Sequence, residues 1–168
     1  DWIVANPPDG ADARDRGWCP YAVALRTVVW MQQIADRDLP DAVVVYLNAS
    51  LTAQVRYLAA NLERDLGGNH LIKDALALLW ASAYFSGEEA DSWYVAAIGL
   101  VSDEVVEQIL PDGLHYERSV TYHAQVFGDL ILCRSVSQDA TWLSRPLDRM
   151  AWALSVLTHP DGLPALFN

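Results

Sequence analysis

The sequence predicts an all-α fold, an incomplete (α/α) toroid made of antiparallel helical hairpins. Apolar residues recur at helical spacing along most of the 168 residues, in runs separated by short breaks. Short connections favour antiparallel neighbours. One run is apolar on nearly every side, which indicates an inner helix enclosed by outer ones. A simple four-helix bundle fits this pattern less well.

The chain divides into two parts. Residues 1–19 are turn-rich and are expected to be mostly irregular, whereas residues 20–168 carry the helical pattern of a single toroid-type domain. The chain lacks an initiator Met and ends on the apolar run "PDGLPALFN". We therefore expect it to be a piece of a longer protein.

The first three helices are predicted from apolar spacing. The first covers 21–35 and stops before Pro40, and the second covers 41–66 and is ended by Gly67-Gly68. The third, 69–85, is the enclosed helix. The inner face of the second helix is predicted to consist of Leu51, Val55, Leu58, Leu62 and Leu66.

Three further helices follow. One is predicted over 91–110 and ends at the turn "PDG", a second begins within 117–133, and the last covers 146–158 with Pro146 in its first turn. The inner stripe of the last helix is predicted to consist of Leu147, Met150, Ala151 and Leu154.

Composition excludes several classes of function. Hydrophobic residues make up 52% of the chain, which is typical of a packed globular protein. The net charge of −11 and the absence of a basic run argue against binding to nucleic acid or to anionic membranes. No apolar stretch approaches the roughly 20 residues of a membrane span. Cys19 and Cys133 have no metal or redox spacing and are expected to be free thiols.

The first stretch with chemical potential is "GGNHLIKD". Asn69 follows two glycines and precedes an apolar helix, the position at which an N-cap is expected. His70 lies at the mouth of the same buried helix, where its ring must either find partners or face a cavity.

The second stretch is "LPDGLHYERSVTYHAQ", a loop that enters a helix. Six side chains of interest fall within nine residues, namely His115, Tyr116, Glu117, Arg118, Tyr122 and His123. Tyr122 and His123 point about 100° apart on a helix, so at most one of them faces a site squarely. For such a pair alone, packing of the tyrosine and a satisfied core histidine are the more ordinary interpretation. His115, Glu117 and His123 match no known metal signature, so neither a metal nor another cofactor is expected.

Together, these stretches resemble a known family. "WCPYAVALRTVVWM", "GGNHLIKDALALLWASAYF", "EQILPDGLHYERSVTYHAQVFGDLIL" and "LTHPDGLPALFN" occur in the order and spacing of the heparinase II/III-like polysaccharide lyases. The likeness covers about Trp18 to Asn168, and its most specific parts are the Asn-His pair and the run "QILPDG-x-H-x-ER-x-x-x-YH". It implies an incomplete (α/α) toroid followed by antiparallel β-sandwich modules, which are absent from this chain.

The resemblance also implies roles for residues. Tyr122 matches the family's general acid and base, Asn69 the residue that neutralises the substrate carboxylate, and His70 a histidine that assists nearby. A further catalytic histidine belongs to the absent β-sandwich domain. Lys73 stands where some members carry an acidic residue, and Leu114 replaces a glycine that is usual in the turn.

Four further residues are predicted to contact substrate, namely His115, Glu117, Arg118 and His123. Of these, Glu117 and Arg118 are also expected to form a buried or semi-buried pair that shapes the loop.

The implied reaction is β-elimination from a uronic acid within an acidic polysaccharide. Net charge favours a polymer with little or no sulfate, alginate-like or an exopolysaccharide, over a heavily sulfated glycosaminoglycan. A periplasmic or secreted bacterial enzyme is expected, with a cytoplasmic location as the alternative, and negligible activity is expected for this chain alone. The alternatives are a glycoside hydrolase that uses Asp112 and Glu117, and a non-catalytic carbohydrate-binding domain.

Overall fold

The fold is an array of α-helices. The computed structural model describes residues 2–8, 14–66 and 68–165, without the side chains of residues 15 and 16. Its six longer helices within these ranges are α2 (Pro20–Asp36), α3 (Asp41–Ala60), α4 (Asn69–Tyr84), α5 (Glu88–Gln108), α6 (Val120–Val136) and α7 (Ser144–Val156). A short helix α1 (Trp2–Ala5) and a π-helical turn (Arg14–Trp18) precede them, and a 3₁₀ turn (Thr141–Leu143) precedes α7. The described residues contain isolated β-bridges but no named strand.

Helix α4 lies at the centre of the array. Ten of its 16 residues are buried. It packs against α2, α3, α5 and α6, while α7 packs on α6. An apolar surface on every side is stable only when other elements cover it. The prediction of an enclosed helix in this part of the chain is therefore confirmed.

Helix α3 ends earlier than its apolar periodicity predicted. The backbone N–H of Asn61 donates to the carbonyl of Leu58, and its side-chain amide donates to the carbonyl of Tyr57. These bonds satisfy carbonyls of the last turn, so the helix stops at Ala60. The predicted end at residue 66 is wrong, and Leu66 is 62% exposed instead of lying on the inner face. Gly67 lies outside the described residues, and residues 61–66 and 68 belong to no helix.

The N-terminal segment is tied to α2. The buried indole of Trp18 donates to the carbonyl of Asn6 at 3.0 Å. The guanidinium of Arg26 lies 4.2 Å from the centre of the Trp2 ring and donates to the carbonyl of Gly17 at 2.7 Å. The expectation of a mostly irregular segment is thus modified, since α1 and the π-helical turn occur within it.

The last helices follow the predictions with small changes. Helix α6 begins at Val120, and the buried stripe of α7 includes Ala153, whereas the predicted Ala151 is exposed. In the turn after α5, the N–H of Gly113 donates to the carbonyl of Leu110. Gly113 has φ +88°, and a Cβ there would collide with the backbone carbonyl of Arg149 in α7. This turn therefore requires glycine.

Neither cysteine forms a disulfide, as predicted. Within the described ranges, no helix is both long and apolar enough to cross a membrane.

Candidate functional site

Helices α4 and α6 begin beside one open hollow of about 410 Å³. The lining residues are Leu66, Gly68, Asn69, His70, Tyr116, Glu117 and Tyr122. The structure therefore brings the adjacent amide and imidazole of Asn69 and His70 together with the phenol of Tyr122, which lies more than 50 positions later in the chain. Tyr116 was noted in the sequence without a role, and Leu66 was expected in the core.

Asn69 is the first residue of α4 and presents its side chain at the edge of the hollow. It is 6% exposed, and no hydrogen-bond partner of its amide is found among the described residues. The predicted N-cap role is wrong, because Gly68 occupies the cap position with φ +64° and no side-chain bond caps the helix. The amide of Asn69 is therefore available to a ligand, next to backbone N–H groups of the first turn.

One ring nitrogen of His70 forms a hydrogen bond within the protein, and the other has no partner among the described residues. Its Nδ1 lies 2.9 Å from Oε2 of Glu63, and its ring packs 4.5 Å from the ring of Tyr21. A carboxylate accepts but does not donate, so Nδ1 carries the proton. The side chain is 39% exposed, and Nε2 has no partner among the described residues. Nε2 is thus the nitrogen that can meet a ligand.

Tyr122 lies in the first turn of α6, where Ser119 accepts its backbone N–H. The side chain is 44% exposed, and its hydroxyl has no hydrogen-bond partner among the residues described. The next residue, His123, is fully buried. The prediction that at most one of this pair faces a site is confirmed, and the residue that does so is Tyr122.

His115 and His123 lie inside the protein instead of in the hollow. Nε2 of His123 donates to the carbonyl of Met150 at 3.0 Å, and its Nδ1 accepts the backbone N–H of His115 at 3.2 Å. Nε2 of His115 lies 2.8 Å from Oε1 of Gln108. Burial lowers the pKa of both imidazoles, that of His115 to about 4. Both rings are neutral and fully buried, and they hydrogen-bond to neighbouring parts of the protein. The predicted substrate contacts therefore do not fit their positions. The grouping with Glu117 as metal ligands does not form.

Glu117 and Arg118 are both exposed, and no ion pair joins them among the described side chains. The expectation of a semi-buried pair is therefore wrong. The carboxylate of Glu117 lies over Gly68 at the hollow, whereas Arg118 is not among the lining residues. Arg118 has φ +55°, a left-handed conformation that turns the chain into α6. Glu117 thus keeps a place at the candidate site, and Arg118 shapes its edge.

Lys73 points away from the hollow into the interior. Its Nζ donates to Oδ1 of Asp129 at 2.6 Å, and the two side chains are nearly buried. Burial raises the pKa of Asp129, although the ammonium group opposes this shift. Lys73, which departs from the family pattern, therefore forms an internal ion pair and does not contact the hollow. No Lys or Arg is among the described residues that line the hollow.

The loop before α4 is held by contacts that the sequence did not indicate. The hydroxyl of Tyr116 accepts the N–H of Gly68 at 2.6 Å, and Nε2 of Gln108 donates to the carbonyl of Gly68 at 2.7 Å. Gly67-Gly68 indicated a break before α4, and Asn61, which can end a helix by bonding to its last carbonyls, is a further signal for this loop. Gln108 begins the run "QILPDG" that carries the resemblance, but nothing in the residue spacing indicates that its amide bonds to Gly68.

The arrangement defines the chain first as a helical domain with one polar hollow between two helix entrances. The heparinase II/III N-terminus family model matches residues 1–145, and the chain belongs to that family. The resemblance stated from the sequence is thereby confirmed.

Known relatives agree with this assignment. A heparin-sulfate lyase of Bacteroides thetaiotaomicron is 24% identical over 188 aligned residues, which cover all of this chain and 26% of that protein. The crystal structure of a heparinase III superposes with a TM-score of 0.84 at 23% identity, over 95% of this chain and 26% of that one. The heparan sulfate lyase of Pedobacter heparinus gives 0.77 at 20% identity, over 97% and 27%. The chain thus spans about a quarter of the length of these relatives and shares their fold, the predicted incomplete (α/α) toroid.

Proposed function

We propose that this chain forms the helical part of a polysaccharide lyase, which cleaves a uronic-acid-containing polysaccharide by β-elimination. The supporting observation is the meeting of Asn69, His70 and Tyr122 at one open hollow. The amide of Asn69, Nε2 of His70 and the hydroxyl of Tyr122 are all without partners among the described residues. Three free polar groups on one concave surface are typical of a site that binds and transforms a polar ligand.

Asn69 and His70 neutralise the carboxylate of the uronic acid. The hydrogen on C5 is a weak acid while the neighbouring carboxylate is fully charged. Hydrogen bonds from the amide of Asn69 and, in the imidazolium form, from the Nε2–H of His70 let charge move onto that carboxylate as the proton leaves. Donors already placed where charge develops stabilise the transition state.

Tyr122 removes the C5 proton and then protonates the leaving oxygen O4. A free phenol has a pKa of about 10, so the base requires nearby positive charge or donors. His70 and the positively polarised first turn of α4 lie at the same hollow. A hydroxyl both accepts and donates a proton, so one side chain serves both steps.

The substrate is proposed to be a uronate polymer of low sulfation. The relatives are named as lyases of heparin sulfate and heparan sulfate, which favours a glycosaminoglycan over the alginate-like polymer that was also considered. The described lining of the hollow offers neutral donors, His70 and the anionic Glu117, without a Lys or Arg to hold sulfate. We also propose a periplasmic or secreted location for the enzyme.

The hydrolase alternative receives less support. Its two carboxylates would have to flank one sugar, but Asp112 does not line the hollow, and its carboxylate accepts the N–H of Leu114. Of these two carboxylates, only that of Glu117 lies at the hollow.

The test uses the full-length protein that carries this chain, incubated with uronate polymers of graded sulfation. Elimination creates an unsaturated uronyl end that absorbs in the near ultraviolet, whereas hydrolysis yields reducing ends without that absorbance. We expect the absorbance to rise with each cleavage, and not with the 168-residue chain alone. Cleavage without absorbance would replace the lyase by a hydrolase. Binding without cleavage, unchanged in Y122F, would indicate a carbohydrate-binding domain.

A further inference from the structure

We propose that Glu63 is a positioning residue that fixes the proton of His70 on Nδ1 and so presents Nε2 to the hollow. This inference rests on the proposed function, because it assigns to His70 the task of meeting the substrate carboxylate. Glu63 belongs to the loop that follows the early end of α3, and it does not line the hollow itself.

The ring of His70 is fixed from two sides. The Oε2 atom of Glu63 holds Nδ1 at 2.9 Å, and the ring of Tyr21 from α2 packs against one face with an interplanar angle of 35°. The Glu63 side chain is 12% exposed, so water competes little for the bond. A partner on one ring nitrogen determines which nitrogen carries the proton in the neutral ring. The pair therefore leaves Nε2 as the acceptor of the neutral form and as a donor of the imidazolium. The imidazolium, balanced by the Glu63 carboxylate on Nδ1, is the form that donates to a substrate carboxylate.

Glu63 is itself held by the helix that carries His70. Its backbone N–H donates at 3.0 Å to Oδ2 of Asp74, which is fully buried one helical turn after His70. The loop thus attaches to α4 twice, through the backbone bond to Asp74 and through the side-chain bond to His70. Such a double attachment fixes the position of the carboxylate more closely than a single surface ion pair could.

The same network reaches the helix of Tyr122. The hydroxyl of Tyr21 accepts a hydrogen bond at 3.1 Å from Nε2 of Gln125, which lies on α6 three residues after Tyr122. Tyr21 therefore connects the face of the His70 ring with the helix that bears the proposed base. The titratable groups near His70 include Glu63 on the loop, Asp74 on α4 and Glu117 at the same hollow.

A double-mutant cycle on the full-length protein tests whether Glu63 acts through His70. We expect E63A to lower kcat/KM for a uronate polymer by about 10-fold or more, in the range seen when a metal-bound histidine loses its orienting partner, because the ring loses both its fixed orientation and the carboxylate that balances the imidazolium. In the H70A background the same change should cost less than about twofold, because the residue through which Glu63 acts is already absent. E63Q keeps the shape and an acceptor oxygen and should recover part of the loss.

The matched control is E89A, which removes a carboxylate from the exposed ion pair with Arg56 and should leave kcat/KM within about twofold. An E63A loss of equal size with and without His70 would overturn the proposal, as would an E63A variant with native activity.

A second measurement does not depend on activity. In the full-length protein labelled with ¹⁵N-histidine, the His70 signals, identified by their loss in H70A, should report a protonated Nδ1 at neutral pH. E63A should move the proton of the neutral ring to Nε2. Identical ring spectra in native and E63A protein would reject the role of Glu63, even if elimination is observed. Conversely, a changed spectrum without unsaturated product would support the positioning role while the proposed lyase function fails.

Discussion

The entrances of α4 and α6 differ in how much of their chemistry reaches the hollow. Each carries in its first turn two neighbouring side chains able to exchange protons or hydrogen bonds, Asn69-His70 in α4 and Tyr122-His123 in α6. At α4 both residues line the hollow, whereas at α6 only Tyr122 does and His123 is fully buried. Both residues of the pair are therefore at the hollow in α4, whereas in α6 one residue is at the hollow and the other is in the core.

The difference follows from what surrounds each entrance. At α4, glycine occupies the cap position, and a carboxylate from the preceding loop holds His70 at the surface. At α6, Ser119 caps the helix and the carbonyl of Met150 receives His123 inside the core. We infer that changes on the hollow side of both entrances alter activity, whereas changes behind the α6 entrance alter stability.

The largest effect is expected for Y122F. Loss of the phenolic proton carrier should lower kcat/KM by about 10²- to 10⁴-fold, as for other general acid–base residues. Its free energy of unfolding should stay near native, because the hydroxyl has no partner among the described residues. The control is Y94F on α5, outside the hollow, which should keep native turnover. Equal losses in both tyrosine variants would remove the distinction between hollow and scaffold.

Stability should separate the two histidines next. H123A leaves the carbonyl of Met150 and the N–H of His115 unpaired and opens a cavity, so it should lower the free energy of unfolding by about 3 kcal/mol. H70A removes a partly exposed ring and should cost less than about 1 kcal/mol. Urea unfolding followed by tryptophan fluorescence measures both, and a costlier H70A would contradict the comparison.

Much of the fold was predictable because helix periodicity and turn residues are local. The enclosed helix α4 and the turn at Gly113 are examples. The end of α3 was not predictable from periodicity, since Leu62 and Leu66 continue the apolar spacing while Asn61 terminates the helix through its own hydrogen bonds. Local sequence signals therefore fix where helices form more firmly than where they end.

The candidate site was predictable in part for the same reason. The resemblance selected Asn69, His70 and Tyr122, and their convergence required the tertiary structure. The burial of His123 depends on a carbonyl 27 residues away, and the position of Glu63 beside His70 depends on the early end of α3. Neither arrangement can be predicted from the spacing of residues in the sequence.

Gly68 at the α4 entrance and Gly113 in the turn after α5 both have positive φ, so substituting them compares how rigid the backbone is at the two places. An alanine at Gly113 would collide with the backbone of Arg149, so G113A should cost more than about 2 kcal/mol of unfolding free energy. At Gly68 a Cβ would lie 2.8 Å from Oε1 of Glu117, the end of an exposed side chain that can move. G68A should therefore cost less than G113A, about 1 to 3 kcal/mol, because φ +64° with ψ −155° is a backbone conformation that is essentially restricted to glycine. Thermal unfolding compares the two, and a reversed order would show that the α4 entrance is the more rigid.

The smallest expected effect is an opposite pH dependence behind the two entrances. Burial raises the pKa of the Asp74 carboxyl behind α4 to about 7, with the nearby Glu63 carboxylate adding to the shift, and it lowers the pKa of His115 behind α6 to about 4. Between about pH 4 and 7 the folded protein binds more protons at Asp74 than the unfolded chain does, so this group makes stability fall as pH rises. Between about pH 4 and 6.5 the unfolded chain binds more protons at His115, so this group makes stability fall as pH drops.

The two contributions offset each other in the native protein, and single substitutions separate them. Relative to native protein, D74N should gain stability as pH rises through this window, and H115Q should lose it, each by at most about 1.4 kcal/mol per pH unit. Urea unfolding in steps across the window measures both differences, and their slopes should have opposite signs. Parallel curves for native protein and both variants would mean that neither buried group changes its proton binding on folding. In that case the two entrances would differ in geometry but not in electrostatics.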